Sequence, residues 1–188
     1  MKRMFTVPAL ALALVIPGVA HAQMGGRMAA PPSDQNNPLA ANMKGSYQNI
    51  RDLLTKEAEA MPEADYRFKA TPDVQDFGVR MAHAVSFMMR GCATVKGEQK
   101  PLTFSQAPTK AEVQAAMKDT AAYCDAVFNA LTDADLMSMV NGGRGGPRLK
   151  QAILQSTVLE HSQEMYGYMA VYLRLKGIVP PSSNRNER

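Results

Sequence analysis

An all-α four-helix bundle is the fold class this sequence predicts, and three observations carry it. Apolar residues recur at steps of three and four in four separate stretches, the period of a helix that buries one face. Aromatics make up only 6% of the chain, with no Trp, against 14 Met, a composition that suits helix packing and disfavours a β-sandwich or barrel. Pro, Gly and a Thr-x-x-Glu pair punctuate the stretches where helices should start and stop. With 46% hydrophobic and 20% charged residues over 188 positions, the chain can bury one sizeable core, which excludes wholesale disorder.

Residues 1–22 read as a signal peptide. Lys2 and Arg3 precede an apolar stretch that ends in Ala20-His21-Ala22, a small-x-small cleavage signature. Pro8 and Pro17 interrupt the stretch, which falls short of the roughly 20 uninterrupted apolar residues of a membrane helix. No Cys follows the cleavage site to carry a lipid, so the expectation is a soluble protein, periplasmic or secreted, with no stable membrane insertion. Residues 23–37, rich in Gly, Pro and Asn, read as a flexible lead-in, and 38–181 as the bundle.

Helix 1 is expected over 38–61, where Met43, Tyr47, Ile50, Leu54 and Met61 keep helical spacing between Pro38 and Pro62. Its acids Glu57, Glu59 and Glu63 read as a solvated face. Helix 2 follows Pro72-Asp73, with Phe77, Met81, Ala84, Met88, Gly91 and Val95 in register, and ends at Gly97. Thr109 with Glu112 opens helix 3, which runs through Val113, Met117, Ala121, Cys124, Phe128 and Leu131.

Residues 141–146, Asn-Gly-Gly-Arg-Gly-Gly, read as a flexible interhelix loop. They lack the Lys-Ser/Thr ending and preceding strand of a phosphate loop, and a single Arg lacks the charge density of an RNA-binding tail. Helix 4 is expected from Pro147, with Leu154, Val158, His161, Met165, Tyr168, Tyr172 and Leu175 in a 4-3-4-3 seam closed by Gly177 and Pro180-Pro181. The tail, 182–188, is polar and expected to be mobile.

Net charge is +4, of which Lys2 and Arg3 supply two units, so the remainder is too weakly basic to imply nucleic acid. Loss of residues 1–22 also removes His21 and leaves His83 and His161 as the only imidazoles. Placed inward on two helices, they are either core histidines satisfied by hydrogen bonds or the beginning of a metal site, which needs three or four protein ligands. Tyr168 and Tyr172 share the His161 face and are candidate cleft-lining residues. Arg174 is assigned to the bundle end. No Ser, His and acid set assembles into a triad, and the Met residues left after cleavage are spread singly, as core rather than as a copper-carrying cluster. Cys92 and Cys124 fall on facing sides of helices 2 and 3, and in an oxidising compartment they are expected to form a disulfide, the alternative being two separate buried thiols.

The segments Glu59-Ala60-Met61-Pro62-Glu63-Ala64-Asp65-Tyr66, Arg80-Met81-Ala82-His83, His161-Ser162-Gln163-Glu164-Met165-Tyr166-Gly167 and Tyr172-Leu173-Arg174-Leu175-Lys176-Gly177-Ile178-Val179-Pro180-Pro181-Ser182 resemble the DinB-like, damage-inducible bundle family. This family is unrelated to the DNA polymerase of the same name. The resemblance covers about residues 38–183 and implies an up-down-down-up bundle, often a homodimer. It also implies a divalent metal, commonly zinc or nickel, on one His of helix 2 and two of helix 4, and in some relatives thiol-transferase or hydrolase activity.

By position the ligands are His83 and His161, with Met165 where the family has its third His. A thioether is a poor zinc or nickel ligand and an acceptable Cu(I) ligand, and Glu164 sits one step off the seam. Three functions are carried forward. They are a degenerate-site binding or structural module taking a small-molecule ligand, a metal-dependent thiol transferase or hydrolase using His83 and His161, and periplasmic copper binding through His83, His161 and Met165.

Overall fold

The computed structural model describes residues 36–142 and 146–184. The readings for the signal peptide, for most of the lead-in, for Arg144 and for the last four residues lie outside them. Three long helices come first: α1 (Pro38–Ala60), α2 (Phe77–Val95) and α3 (Lys110–Ala130). A short α4 (Asp133–Leu136) leads into a hairpin of β1 (Met139–Asn141) and β2 (Pro147–Leu149). The fourth bundle helix is composite: α5 (Lys150–Ile153), a π-helical segment (Leu154–Glu160) and α6 (His161–Leu175), continued without a break.

Contacts fix the packing order. α2 lies against α3 on one side and the composite helix on the other, and α1 against α3 and α6. Gly78 meets Pro108 at one end of the α2–α3 seam and Cys92 meets Cys124 at the other, so these two helices run in the same direction. Tyr172 reaches Gln75 while Gly91 packs on Val158, so α6 runs opposite to α2. Tyr47 stacks on Phe128, centroids 4.2 Å apart, and Lys110 sits at Met61, so α1 runs opposite to α3.

The ends of the elements follow local chemistry. Thr109 and Glu112 form the expected capping box, with the Glu112 N–H donating to Thr109 Oγ1 at 3.2 Å and the Thr109 N–H to Glu112 Oε2 at 2.8 Å. α2 is capped by Asp76, three residues later than Asp73: its Oδ1 accepts the Val79 N–H at 2.9 Å, and its Oδ2 holds Arg67 at 3.1 Å. Gly97 and Gly177, both at φ 75°, end α2 and α6 in the left-handed conformation, and the N–H of the next residue returns to the carbonyls of Ala93 and Leu173.

α1 is capped from a distance. Asp133 accepts the Ala40 N–H at 2.8 Å, while its own N–H donates to Asn37 Oδ1 at 3.0 Å, so Asn37 is engaged and does not belong to a free lead-in. The cystine forms as expected, with Cα atoms 5.5 Å apart.

Four expectations need correction. Pro147 does not open a helix: it lies in β2 opposite Asn141, and the Gly142 N–H donates to Gly146 O at 2.9 Å just beyond that pair. Pro is tolerated there because, among the described residues, the hairpin has only two strands and no further neighbour needs its missing N–H. Glu57 is not solvated. It is wholly buried, and among the described residues neither carboxylate oxygen has a hydrogen-bond partner. The start of the tail is docked, since the Ser182 N–H donates to Tyr166 Oη at 2.8 Å and Arg174 Nη2 to Ser183 Oγ at 2.9 Å.

The seam of helix 4 is also displaced. Its buried line is Leu154, Val158, Ser162, Met165, Met169 and Tyr172, two steps of four before the 3-4-3 pattern resumes. A π turn closes i to i+5 bonds and takes up more residues than an α turn, so the stripe slips by one position across 158–162. His161, Tyr168 and Leu175 move from the centre of the seam to its flank. Tyr168 is 47% exposed and Leu175 57%.

Candidate functional site

The π segment can close on α2 because Gly91 faces it. A Cβ on Gly91 would stand 2.5 Å from Val158 Cγ2, nearer than packed carbon atoms can approach. That contact places the first turns of α6 against the middle of α2, where Arg80, His83, Phe87 and Arg90 share one helical face at steps of three, four and three. Opposite them stand His161, Glu164 and Tyr168 of α6.

His83 and His161 meet directly, Nε2 to Nε2, at 3.1 Å. His161 Nδ1 lies 3.2 Å from Glu164 Oε2, and the Tyr168 hydroxyl donates to Glu164 Oε1 at 3.2 Å. Glu164 accepts from His161 Nδ1–H, and the direction of the imidazole contact follows the charge on His161: neutral, its Nε2 accepts from His83 Nε2–H, and as an imidazolium it donates to His83 Nε2. The result is a chain from His83 through His161 to Glu164, with His83 Nδ1 at its outer end. Burial lowers the pKa of His83 below its ordinary 6.5, and His161, Arg80 and Arg90 lower it further against a smaller opposing pull from Glu164. His83 is therefore neutral at pH 7.

The surroundings are aromatic and cationic. Phe87 lies 4.4 Å from the His83 ring and 4.2 Å from the His161 ring, centroid to centroid. The Arg90 guanidinium stacks on Phe87 at 3.7 Å, and that of Arg80 lies over Tyr168 at 5.0 Å.

The sequence-predicted residues are only partly brought together. His83 and His161 touch. Met165, the third position of the ligand set, is 4% exposed and belongs to the apolar core. Tyr168 joins the imidazole pair through Glu164, whereas Tyr172 is buried and spends its hydroxyl on Gln75 O at 2.7 Å, holding the residue that precedes the α2 cap. Sequence reasoning set Glu164 aside and did not single out Arg80, Phe87 or Arg90. Two signals were present: Glu164 follows His161 by three residues, a spacing at which helical side chains meet, and the α2 residues repeat with the helical period around His83.

The donor set does not fit the zinc or nickel that the family resemblance implies. Among the described residues no group of three His, Cys, Asp or Glu is placed to hold a metal. The two imidazole nitrogens spend their proton and lone pair on each other, and both Glu164 oxygens are already in use. A divalent site of borderline character needs at least one more nitrogen, oxygen or thiolate donor.

Fold and site together define a four-helix bundle with an imidazole pair spanning two antiparallel helices at the rim of its core. The chain belongs to the DinB superfamily, whose family model matches residues 46–169. Two solved structures are similar to it. A DinB-like protein from Bacillus subtilis aligns with a TM-score of 0.62 and 18% identity over 76% of this chain and 98% of that one. A DinB-like protein from Bacillus cereus ATCC 10987 gives 0.64 and 19% over 74% and 94%. At these identities the likeness is one of fold. No curated protein matches the chain.

Proposed function

We propose that the protein acts after export as a DinB-like binding module, in which the family's metal site has been reduced to an imidazole pair and the groove between α2 and α6 takes a small-molecule ligand. One observation carries this reading: the 3.1 Å contact between His83 Nε2 and His161 Nε2, with Met165 sealed in the core. Two imidazole nitrogens on one zinc stand about 3.3 Å apart, so ligation would have to displace the proton of that contact and recruit a donor from elsewhere. For a ligand, the site offers the polar His83 Nδ1, ring faces for stacking and two guanidiniums. The His161–Glu164–Tyr168 chain holds the imidazole pair in orientation.

The test is metal content and zinc calorimetry on untagged protein recovered from the exported fraction, beside a Met165→His variant. The expected result is a chain beginning at Gln23 that is metal-free and shows no saturable zinc binding in the micromolar range, with binding gained in the variant. Stoichiometric zinc or nickel in the unmodified protein overturns the reading in favour of a metal-dependent transferase or hydrolase. Stoichiometric copper overturns it in favour of a site built from His83, His161 and Met165. Retention of residues 1–22 removes the exported setting.

A further inference from the structure

Charge along the α2–α6 groove follows a pattern that the imidazole pair does not explain. Arg80 and Arg90 stand at its two ends, ten residues apart on one helical face, hence about 15 Å between their Cα atoms. Among the described residues neither forms an ion pair: Arg80 stacks on Tyr168 and Arg90 on Phe87, and Arg80 Nε is buried with no hydrogen-bond partner. Both act electrostatically on His83 between them. The middle of the groove is different. There Glu164 holds the outer nitrogen of His161, and the rings of Phe87, His83 and His161 lie within 4.2 to 5.1 Å of one another. The strip thus carries a guanidinium toward each end, and in its centre one phenyl and two imidazole rings with one carboxylate.

A single anion seated at the centre would face Glu164. An anion at one end alone would leave the other guanidinium unused. We propose that the groove binds an extended dianion, a molecule with an acidic group at each end of an uncharged, apolar body, the acids on Arg80 and Arg90 and the body across Phe87 and the imidazoles. Guanidinium recognises carboxylate or phosphate through paired N–H donors, and a flat or flexible apolar body gains from covering the ring faces. The inference rests on the binding-module reading above and adds the chemical class and the length of the ligand.

Linear α,ω-dicarboxylates of increasing length are suitable probes: succinate, suberate and dodecanedioate, with dodecanoate as the single-acid control. Calorimetry on the mature protein at low salt should show affinity rising with length. Dodecanedioate should bind at least tenfold tighter than succinate and than dodecanoate. Arg80→Gln and Arg90→Gln should each bring dodecanedioate down to the level of dodecanoate, while Lys118→Gln, an exposed change on α3, leaves it unaltered. Circular dichroism melts confirm that the variants fold.

Equal affinity for succinate and dodecanedioate, an equal loss in the Lys118 variant, insensitivity to both arginine changes, or no binding of any probe each overturns the dianion proposal. Zinc uptake measured on the same preparation distinguishes the two readings. A metal-free protein that ignores the dicarboxylates defeats only the ligand class, whereas a zinc-loaded protein defeats the binding-module reading itself.

Discussion

Helix α2 has two seams of different character. Toward α3 it presents an apolar face closed by the Cys92–Cys124 bond, with Gly78 drawn so close to the α3 entry that a Cβ there would stand 2.6 Å from Pro108 O. Toward the composite helix it presents Gly91, then His83, Phe87 and the two arginines, against a partner whose helical period is altered by the π segment. The first seam is covalent and apolar, and the second, noncovalent, carries polar side chains along its outer edge. A helix fixed firmly on one side can keep unsaturated polar chemistry on the other without endangering the fold.

The largest expected effect comes from breaking the first seam. Replacing both cysteines with Ala should lower stability by roughly 3 to 4 kcal/mol on the loop-entropy model for a 32-residue separation. Denaturant unfolding of reduced and oxidised wild type beside the double variant measures it. The His83–His161 contact, followed by imidazole NMR signals in native buffer, should survive. Its loss would show that the two seams are one cooperative unit.

Next comes Glu57, which belongs to neither seam but sets the pH at which they are compared. Burial without a partner raises its pKa from 4.5 to about 9. Between those values the folded chain keeps a proton that the unfolded chain has released, so stability falls as pH rises, by up to about 1.4 kcal/mol per unit. Below this window both states are protonated, and above it both are ionised. At pH 7 the penalty is therefore on the order of 3 kcal/mol. Glu57→Leu should recover much of it, with the gain growing from pH 5 to pH 9 in urea titrations; a pH-independent gain would show that the carboxyl is solvated.

A smaller effect tests the second seam. Gly91→Ala should cost about 1 to 3 kcal/mol through overpacking against Val158, and Val158→Ala in the same chain should restore part of it. Additive losses in that cycle would mean that the two residues do not share the contact. Smallest of all, His83→Gln should change stability by less than about 1 kcal/mol, because the imidazole is partly exposed and stands at the rim of the core. A larger loss would make the pair part of the scaffold.

The two seams also differ in how far the sequence disclosed them. The α2–α3 seam was legible because its signals are local: a helical apolar stripe in each element, the Thr109–Glu112 box, and a cysteine on each facing side. The second seam depends on phase. An uninterrupted α period through Leu154, Val158 and His161 put the imidazole at the centre, and nothing in the spacing announces that the wide turn moves Ser162 there instead. Glu57 was misplaced for a related reason: a carboxylate near a helix end reads as solvated, and its burial is imposed by helices distant in sequence. The cap on α1 is equally non-local, because Asp133 reaches Ala40 across 93 positions. The short hairpin was hidden because Pro147 suits a first helical turn as well as an edge strand.

The wide turns at Leu154–Glu160 have a bearing on how such a groove is altered by insertion and deletion. One residue more or less in a continuous helix rotates everything beyond it by about 100°. Reversion of that stretch to ordinary α turns at unchanged length would swing the α6 half of the site as a block while every side chain in it stayed the same, and a single-codon deletion accompanying the reversion would return it to its present facing. Chain length just ahead of His161 thus works as an angular dial for His161, Glu164 and Tyr168 together, and point substitution within the groove has no equivalent.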